Sequence, residues 1–174
     1  NDYDAIIIAY SSFSLIPLSK KFYVDNIKLE LEKIGKRLSE IRKSASEYAK
    51  KYGKLKQHKE ILEEQLKKVD NAIYFDQLGI TGLFVDEAHN FKNLQIEATN
   101  NTISGATSGS SKCQDLYDKM RSIQRTCPNS TIVFATGTPI TNSLTDIFVM
   151  QKYLQEGELR FLNLQNFDSW IGMF

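Results

Sequence analysis

The chain has 174 residues, of which 41% are hydrophobic and 25% charged, and its formal net charge is +1. This is an ordinary globular composition with enough apolar material for one modest core. The near-zero net charge excludes a uniformly basic nucleic-acid-binding domain, so any contact with nucleic acid must come from a local patch.

The cysteine spacing and the N-terminal sequence indicate the cellular compartment of the protein. Cys113 and Cys127 lie outside the spacings typical of metal sites and disulfide frameworks. No apolar run is long enough to span a membrane, and no basic segment precedes an apolar stretch. We therefore expect a reduced, soluble, cytoplasmic chain without zinc, disulfide or membrane partner. Because the apolar run begins so soon after Asn1, we also expect a piece of a larger polypeptide.

Three short apolar runs are predicted to be strands: Ala5 to Tyr10, Gly82 to Val85, and Thr131 to Ala135. They lack clean alternation and are bounded by turn or polar residues. This pattern is typical of a parallel sheet with helices on both faces. The sequence therefore predicts an α/β fold.

Apolar residues between the first two runs recur at alternating steps of three and four, which is a heptad seam. Its positions are Val24, Ile27, Leu31, Ile34, Leu38, Ile41, Ala45 and Tyr48, prolonged by Tyr52, Leu55, Leu62, Leu66 and Val69. One helix of this span would be roughly 70 Å long, so we predict a helical hairpin that bends near Tyr52 to His58. The intervening charges are expected to form a solvated face, with contact to DNA or another domain as the alternative.

Helices and a loop are predicted in the second half. Gln95 to Ser111 is polar and has the composition of a flexible loop. Ser111 could cap a helix from Lys112 to Thr126, and a further helix is expected from Ser143 to Leu154. The tail from Arg160 to Phe174 is apolar without periodicity, so it either packs against an absent neighbour or folds back locally.

The strand Leu83 to Val85 ends in two adjacent carboxylates, Asp86 and Glu87, followed by Ala88 and His89. In open α/β sheets, ligands bind at this edge. Adjacent residues of a strand point to opposite sides, so one carboxylate can stand near a metal and the other near a water. The ordinary structural interpretation is a strand that ends in a polar turn.

The strand that ends at Ala135 feeds Thr136, Gly137, Thr138 and Pro139. Glycine permits an unusual backbone angle, proline stops the strand, and the threonines offer hydroxyls at the same sheet edge. Alone this is a routine strand-to-helix turn. Beside the acidic motif it becomes specific.

The two motifs together resemble those of superfamily-two helicases, and more closely of their Swi/Snf-like branch. Asp86 to His89, followed by Lys92 and Asn93, resembles motif II, and Thr136 to Pro139 with Asn142 resembles motif III. The segment Asp4 to Phe13 is similar to the region of motif Ib.

Three further segments look closer still to the large helicase proteins of bacterial mobile elements and phages: Phe75 to Ile80, Phe84 to Leu94, and Met150 to Leu154. In those proteins a helicase is often joined to an adenine-specific DNA methyltransferase. The likeness covers most of the chain, and the helical insert matches in character more than in letters.

This resemblance implies a partial RecA-like (P-loop NTPase-type) parallel sheet flanked by helices, with the long hairpin as a coiled-coil-like insert. Residues 1–19 and 71–156 would form part of helicase lobe 1, residues 20–70 the insert, and residues 157–174 the segment leading to the next region. The implied partners are double-stranded DNA, a second RecA-like lobe and a fused methyltransferase domain.

The resemblance also implies the site, with ATP and Mg²⁺ as cofactors. Asp86 would hold Mg²⁺ through its water shell, and Glu87 would orient and deprotonate the attacking water. His89 with Thr136, Gly137 and Thr138 would couple the nucleotide state to movement of the second lobe, while Lys92 and Asn93 would steady the loop after motif II.

Small polar residues suit contact with DNA phosphates, because their side chains and free N–H groups donate hydrogen bonds. Our candidates are Ser12, Ser108, Ser110 and Lys112, in the turn after Tyr10 and in or after the loop from Ser104. The alternative is a loop that binds nothing.

A P-loop is missing. The Gly-Lys pairs, Gly35-Lys36 and Gly53-Lys54, have neither the upstream Gly nor the following Ser or Thr. An Arg-bearing motif VI is not recognisable either. The resemblance therefore implies a fragment that is inactive alone but couples ATP hydrolysis to movement on DNA in its parent.

Two other functions fit the sequence less well. A degenerate lobe could act as a protein-interaction platform through its helical insert, although the intact Asp86, Glu87 and Thr136 argue against this. A methyltransferase would need an Asn/Asp-Pro-Pro-Tyr-like site and a Gly-rich cofactor loop, and the sequence has neither.

Overall fold

The computed structural model describes residues 4–40, 45–66, 72–96, 109–141 and 143–173. The chain divides into two compact units. The helical unit is Ile16–Leu78, and the mixed unit combines Asn1–Leu15 with Gly79–Phe174.

The fold contains both helices and strands, which is compatible with the predicted α/β class. In chain order the elements are α1 (Tyr10–Phe13), α2 (Lys20–Glu40), α3 (Ala45–Leu66), β1 (Gly82–Val85), α4 (Ser111–Thr126), β2 (Thr131–Phe134), α5 (Leu144–Leu154), α6 (Glu156–Phe161) and α7 (Phe167–Ile171). Short 3₁₀ turns cover Phe75–Gln77 and Ala88–Phe91.

The predicted hairpin is present, because α2 and α3 pack against each other. The seam positions Val24, Ile27 and Ile34 are buried, as the heptad pattern predicts. The seam positions Leu31 and Leu55 are only half-buried, and Tyr52 is exposed. The side chains of Leu38, Ala45, Tyr48, Leu62 and Leu66, and all of Ile41 and Val69, lie outside the described residues.

The predicted position of the bend is wrong, since Tyr52 to His58 lies inside α3. Helix α2 ends at Glu40 and α3 begins at Ala45, and residues 41–44 are not among those described. Gly53 costs a helix about 1 kcal/mol, which packing against a neighbouring helix readily offsets.

The start and end of the hairpin are tied together. The Phe22 N–H donates to Ser19 Oγ at 3.2 Å, which caps α2. The Ser19 hydroxyl and N–H donate to the Asp76 carboxylate at 2.5 and 2.8 Å, and the Phe75 N–H donates to the Pro17 carbonyl at 2.8 Å. These bonds therefore hold the residues before the hairpin next to the residues after it.

The strands β1 and β2 pair in parallel, with Gly82 opposite Thr131 and Val85 opposite Phe134. These two predicted strands are confirmed, the second one residue shorter than expected. Helix α4 makes the crossover that parallel pairing requires. The Phe134 ring packs on Tyr153 of α5 with ring centroids 5.2 Å apart, so one sheet face is covered.

The other sheet face is not covered by any of the described elements. It carries the register partners Phe84 and Val133, which are 75% and 38% exposed. Helices on both faces were expected, and that expectation is wrong for the described part of the chain. An apolar strand sequence indicates that the strand can be buried. It does not determine whether helices cover both faces of the sheet.

The first predicted strand, Ala5 to Tyr10, is also wrong. Residues 5–9 form no strand, α1 begins at Tyr10, and Ile6 and Ile7 are 73% and 102% exposed. A strand is stable only when a neighbour accepts and donates its backbone hydrogen bonds. Among the described residues the sheet has only β1 and β2.

The remaining helices follow the sequence with small corrections. Helix α4 begins at Ser111, so Ser110 rather than Ser111 takes the capping position. Ser143 caps α5 by accepting from the Thr145 N–H at 3.2 Å. The tail folds back locally, since the Phe167 and Trp170 rings of α7 pack on Phe148 of α5 at 5.4 and 5.5 Å.

Candidate functional site

The acidic motif and the threonine motif meet at one edge of the sheet, as the sequence predicts. Beyond the paired strands, the Ala135 N–H donates to the Val85 carbonyl at 2.8 Å. The Ala88 N–H then donates to the Ala135 carbonyl at 3.0 Å. These bonds hold the turns after β1 and β2 side by side.

The turn after β1 is held in an unusual backbone conformation. Glu87 has φ 47° and ψ 44°, in the left-handed region that costs a non-glycine residue about 1–2 kcal/mol. The Glu87 N–H donates to Asp86 Oδ1 at 2.9 Å, and the N–H and side-chain amide of Asn90 both donate to the Glu87 carbonyl at 3.0 Å. Hydrogen bonds on both sides of Glu87 therefore offset the cost.

Both carboxylates of the acidic motif are exposed at this edge. Mg²⁺ commonly keeps several waters and takes one or two protein carboxylates together with substrate phosphates. An exposed Asp86 carboxylate fits such a water-mediated role. A closed protein cage does not fit, because the described residues contain no cluster of three or more metal-ligating side chains.

His89 links the two motifs. Its Nδ1 lies 3.1 Å from Glu87 Oε2 and 3.2 Å from Thr136 Oγ1. A carboxylate can only accept, whereas a hydroxyl can donate or accept. A protonated Nδ1 therefore donates to Glu87, and an unprotonated Nδ1 accepts from Thr136.

The threonine turn is organised around the same hydroxyl. Thr136 Oγ1 accepts from the Thr138 N–H at 3.2 Å. Gly137 and Thr138 are exposed beside it. Asn142, assigned to the same motif, lies outside the described residues.

Lys92 connects the segment after the acidic motif to α5. Its Nζ donates to Thr141 Oγ1 at 3.2 Å and lies 3.5 Å from Asp146 Oδ2. Asp146 also accepts from the Thr141 N–H at 2.9 Å and from its hydroxyl at 3.0 Å. The lysine thus ties the segment after the acidic motif to residues that follow the threonine motif.

Sequence reasoning missed Thr141 and Asp146. An acidic residue in the first turn of α5 was the available signal, since it suits the positive end of a helix. Asn93 is exposed, and its carbonyl accepts from the Ser110 N–H at 2.8 Å.

The residues predicted to contact nucleic acid are partly brought together. Lys112 Nζ lies 4.7 Å from the Phe91 ring centroid and 5.8 Å from that of Tyr10, so it stands beside α1, which carries Ser12. Ser110 immediately precedes α4. Ser108 lies outside the described residues.

Sequence reasoning also missed Tyr10. Its hydroxyl donates to the backbone carbonyl of Asp86. Its ring meets Phe91 edge-on, with centroids 5.0 Å apart. Burial raises the pKa of the phenol, and the charges of Asp86 and Glu87 raise that pKa further, so Tyr10 remains a neutral donor.

No described helix combines the length and the apolar character needed to cross a membrane.

Comparisons with known proteins place the chain in a family. No curated protein and no solved structure matches the chain significantly. The model of the family described as "Probable helicase domain" matches residues 1–174. The chain therefore belongs to this probable helicase domain family.

Proposed function

We propose that the chain is part of an ATP-dependent DNA helicase or translocase and supplies its motif II and motif III within a RecA-like lobe of the Swi/Snf-like branch. Family membership supports a helicase-related role. The observation that carries the finer proposal is His89 Nδ1, within 3.2 Å of both the Glu87 carboxylate and the Thr136 hydroxyl.

The proposed roles follow from what each group can do. When bound, ATP supplies the phosphoryl group, and Mg²⁺ neutralises the charge that develops on this group. Asp86 offers an exposed carboxylate to the water shell of the metal. Glu87 offers a second carboxylate that can orient a water and accept its proton. His89 contacts both the Glu87 carboxylate and the Thr136 hydroxyl, and would thereby couple the position of Glu87 to that of Thr136.

Movement on DNA requires the nucleotide site to be connected to other parts of the protein. Thr136, Gly137 and Thr138 stand next to His89 and would face a second RecA-like lobe. Lys92 anchors them through Thr141 and Asp146. Double-stranded DNA, the second lobe and a fused methyltransferase domain belong to this proposal as partners.

The proposal needs a phosphate-binding loop, which this sequence lacks. That loop must come from another segment of a longer polypeptide. The 174-residue chain alone is therefore expected to show no ATP turnover. Turnover by the chain alone that Glu87→Gln abolishes would contradict this requirement.

The test is DNA-stimulated ATP hydrolysis by a polypeptide that contains both this chain and a phosphate-binding loop. Glu87→Gln should lower kcat by about 10²–10⁴, the usual contribution of a general base. Glu158→Gln, a matched change at an exposed position of α6, should leave kcat unchanged. Full activity of the Glu87 variant would refute the proposal.

The alternative role as a protein-interaction platform has less support. A platform on the helical insert needs accessible side chains, but Val24, Ile27 and Ile34 of the heptad seam are buried.

A further inference from the structure

We infer that Tyr10 is a positioning residue for the acidic motif: its hydroxyl fixes the peptide between Asp86 and Glu87 and thereby the direction of the Glu87 carboxylate. This inference rests on the proposed function of Glu87. It adds a residue outside motifs II and III, from the segment Asp4 to Phe13, whose sequence predicted a strand and resembles the region of motif Ib.

The peptide group between Asp86 and Glu87 is held at both of its polar ends. The carbonyl of Asp86 accepts from the Tyr10 hydroxyl, and the N–H of the same peptide, on Glu87, donates to Asp86 Oδ1 at 2.9 Å. Both polar ends of the peptide are therefore bound. Rotation of this peptide would change φ of Glu87 and would break both bonds.

This peptide leads into an unusual backbone conformation at Glu87. Glu87 is one of two non-glycine residues with positive φ among those described, the other being Asn163. Such a conformation persists only when its surroundings hold it in place. Asn90 binds the carbonyl on the far side of Glu87, and Tyr10 binds the peptide on the near side.

Tyr10 is itself held in place by its neighbours. Its ring lies edge-on to Phe91, which is 1% exposed, and the Lys112 ammonium stands near both rings. At the other end of α1, Lys119 donates to the Phe13 carbonyl at 2.7 Å and is itself fully buried. Two lysines of α4 thus fix both ends of α1, so the phenol has a defined position.

The sequence offers a direct probe of this peptide, because Asp86-Glu87 is the only place where Glu follows Asp. Labelling aspartate with ¹³C at the carbonyl and glutamate with ¹⁵N gives a single cross-peak in a carbonyl–amide correlation spectrum. That peak reports the carbonyl bound by Tyr10 and the N–H bound by Asp86.

The experiment compares Tyr10→Phe with Tyr153→Phe in the full chain. Both changes keep the ring and remove a hydroxyl that donates to a backbone carbonyl, since Tyr153 donates to Cys113 at 2.9 Å. We expect Tyr10→Phe to move the Asp86–Glu87 cross-peak and Tyr153→Phe to leave it in place. A cross-peak unmoved by Tyr10→Phe would overturn the inference.

The kinetic arm uses the polypeptide that carries the phosphate-binding loop. Tyr10→Phe should lower kcat by about three- to tenfold, as expected for the loss of one hydrogen bond, with KM for ATP unchanged. If Tyr10→Phe shifts both KM and the melting temperature as much as Tyr153→Phe does, Tyr10 has a merely structural role and the inference is overturned.

The two proposals fail in different ways. If Glu87→Gln is inactive while Tyr10→Phe keeps full kcat, the positioning role is wrong and the proposed function stands. If Glu87→Gln is fully active, the proposed function is wrong and the catalytic part of this inference falls with it. The cross-peak still decides whether Tyr10 holds the turn.

Discussion

The imidazole Nδ1 of His89 lies 3.2 Å from the hydroxyl of Thr136, so a residue of the turn after β1 touches a residue of the turn after β2. The same nitrogen lies 3.1 Å from the Glu87 carboxylate. One ring nitrogen therefore has two partners that compete for it. A substitution of Glu87 or Thr136 should therefore change the contact that His89 makes with the other of these two residues.

Thr136→Val tests this competition, because valine keeps the shape and removes the hydroxyl. With Glu87 as the remaining partner, the surroundings of Nδ1 change, so the ¹⁵N resonance of this nitrogen should shift. The chain has two histidines, and His58 serves as the internal reference. Thr138→Val keeps the N–H that donates to Thr136 and should have no such effect. An equal shift in both variants would contradict the link.

Glu87→Gly should make the protein more stable while it removes the proposed base. Glycine adopts φ near 47° without strain, although it also costs more entropy on folding. We expect a net gain of about 0.5–1 kcal/mol in the free energy of unfolding, measured with urea. Asp86→Gly, without a positive φ to relieve, should cost about 1 kcal/mol through the lost acceptor for the Glu87 N–H. A loss of stability in Glu87→Gly would show that the turn is not strained.

The contact between Lys92 and Asp146 should contribute to stability, since their side chains are only 9% and 14% exposed. A double-mutant cycle with Lys92→Met and Asp146→Asn is expected to give a coupling energy of about 1–3 kcal/mol in urea unfolding. As a comparison, Arg160→Met removes a side chain that is 46% exposed and should cost less than about 0.5 kcal/mol. A coupling energy near zero would mean that Lys92 does not anchor the segment after the acidic motif.

The carboxyl of Asp118 in α4 should make the stability of the protein depend on pH. Burial raises the pKa of Asp118 above 3.8, and its hydrogen bond from Gln114 only partly opposes this. A raised folded-state pKa means that the native state holds the proton more tightly, so stability falls as pH rises from 3.8 through the raised value. Asp118→Asn should therefore stabilise the protein at neutral pH, and the gain should disappear at about pH 4.

Asp115→Asn is the matched control for that prediction. Asp115 accepts from Lys119 Nζ at 2.7 Å, and this lysine is fully buried. Replacing the carboxylate should cost about 1–3 kcal/mol at neutral pH, because a buried cation loses its charged partner. Urea unfolding at both pH values distinguishes the two variants. Destabilisation by Asp118→Asn at neutral pH would contradict the assigned cause of the pKa shift.

The sequence predicted the elements that position the site. The apolar runs before Asp86 and Thr136 became β1 and β2, and parallel pairing brought their carboxyl ends to one edge. This succeeded because apolar strand sequences, helical periodicity and strand-ending turns are local features.

The failures concern features that depend on distant neighbours. Ala5 to Ala9 has the letters of a strand, but pairing requires a partner that composition does not provide. Glu87 adopts its left-handed conformation because Asn90 and Tyr10 bind the peptides on either side of it. The Tyr10 contact joins residues far apart in sequence, so no local pattern could have revealed it.

The measurement that tests the central claim most directly is a kinetic double-mutant cycle of His89→Ala and Thr136→Val. It uses kcat for DNA-stimulated ATP hydrolysis in the polypeptide that carries the phosphate-binding loop. If the two motifs act as one unit through the 3.2 Å contact, the double variant should lose little more than the worse single variant. Fully additive losses, with each variant acting independently of the other, would contradict the account.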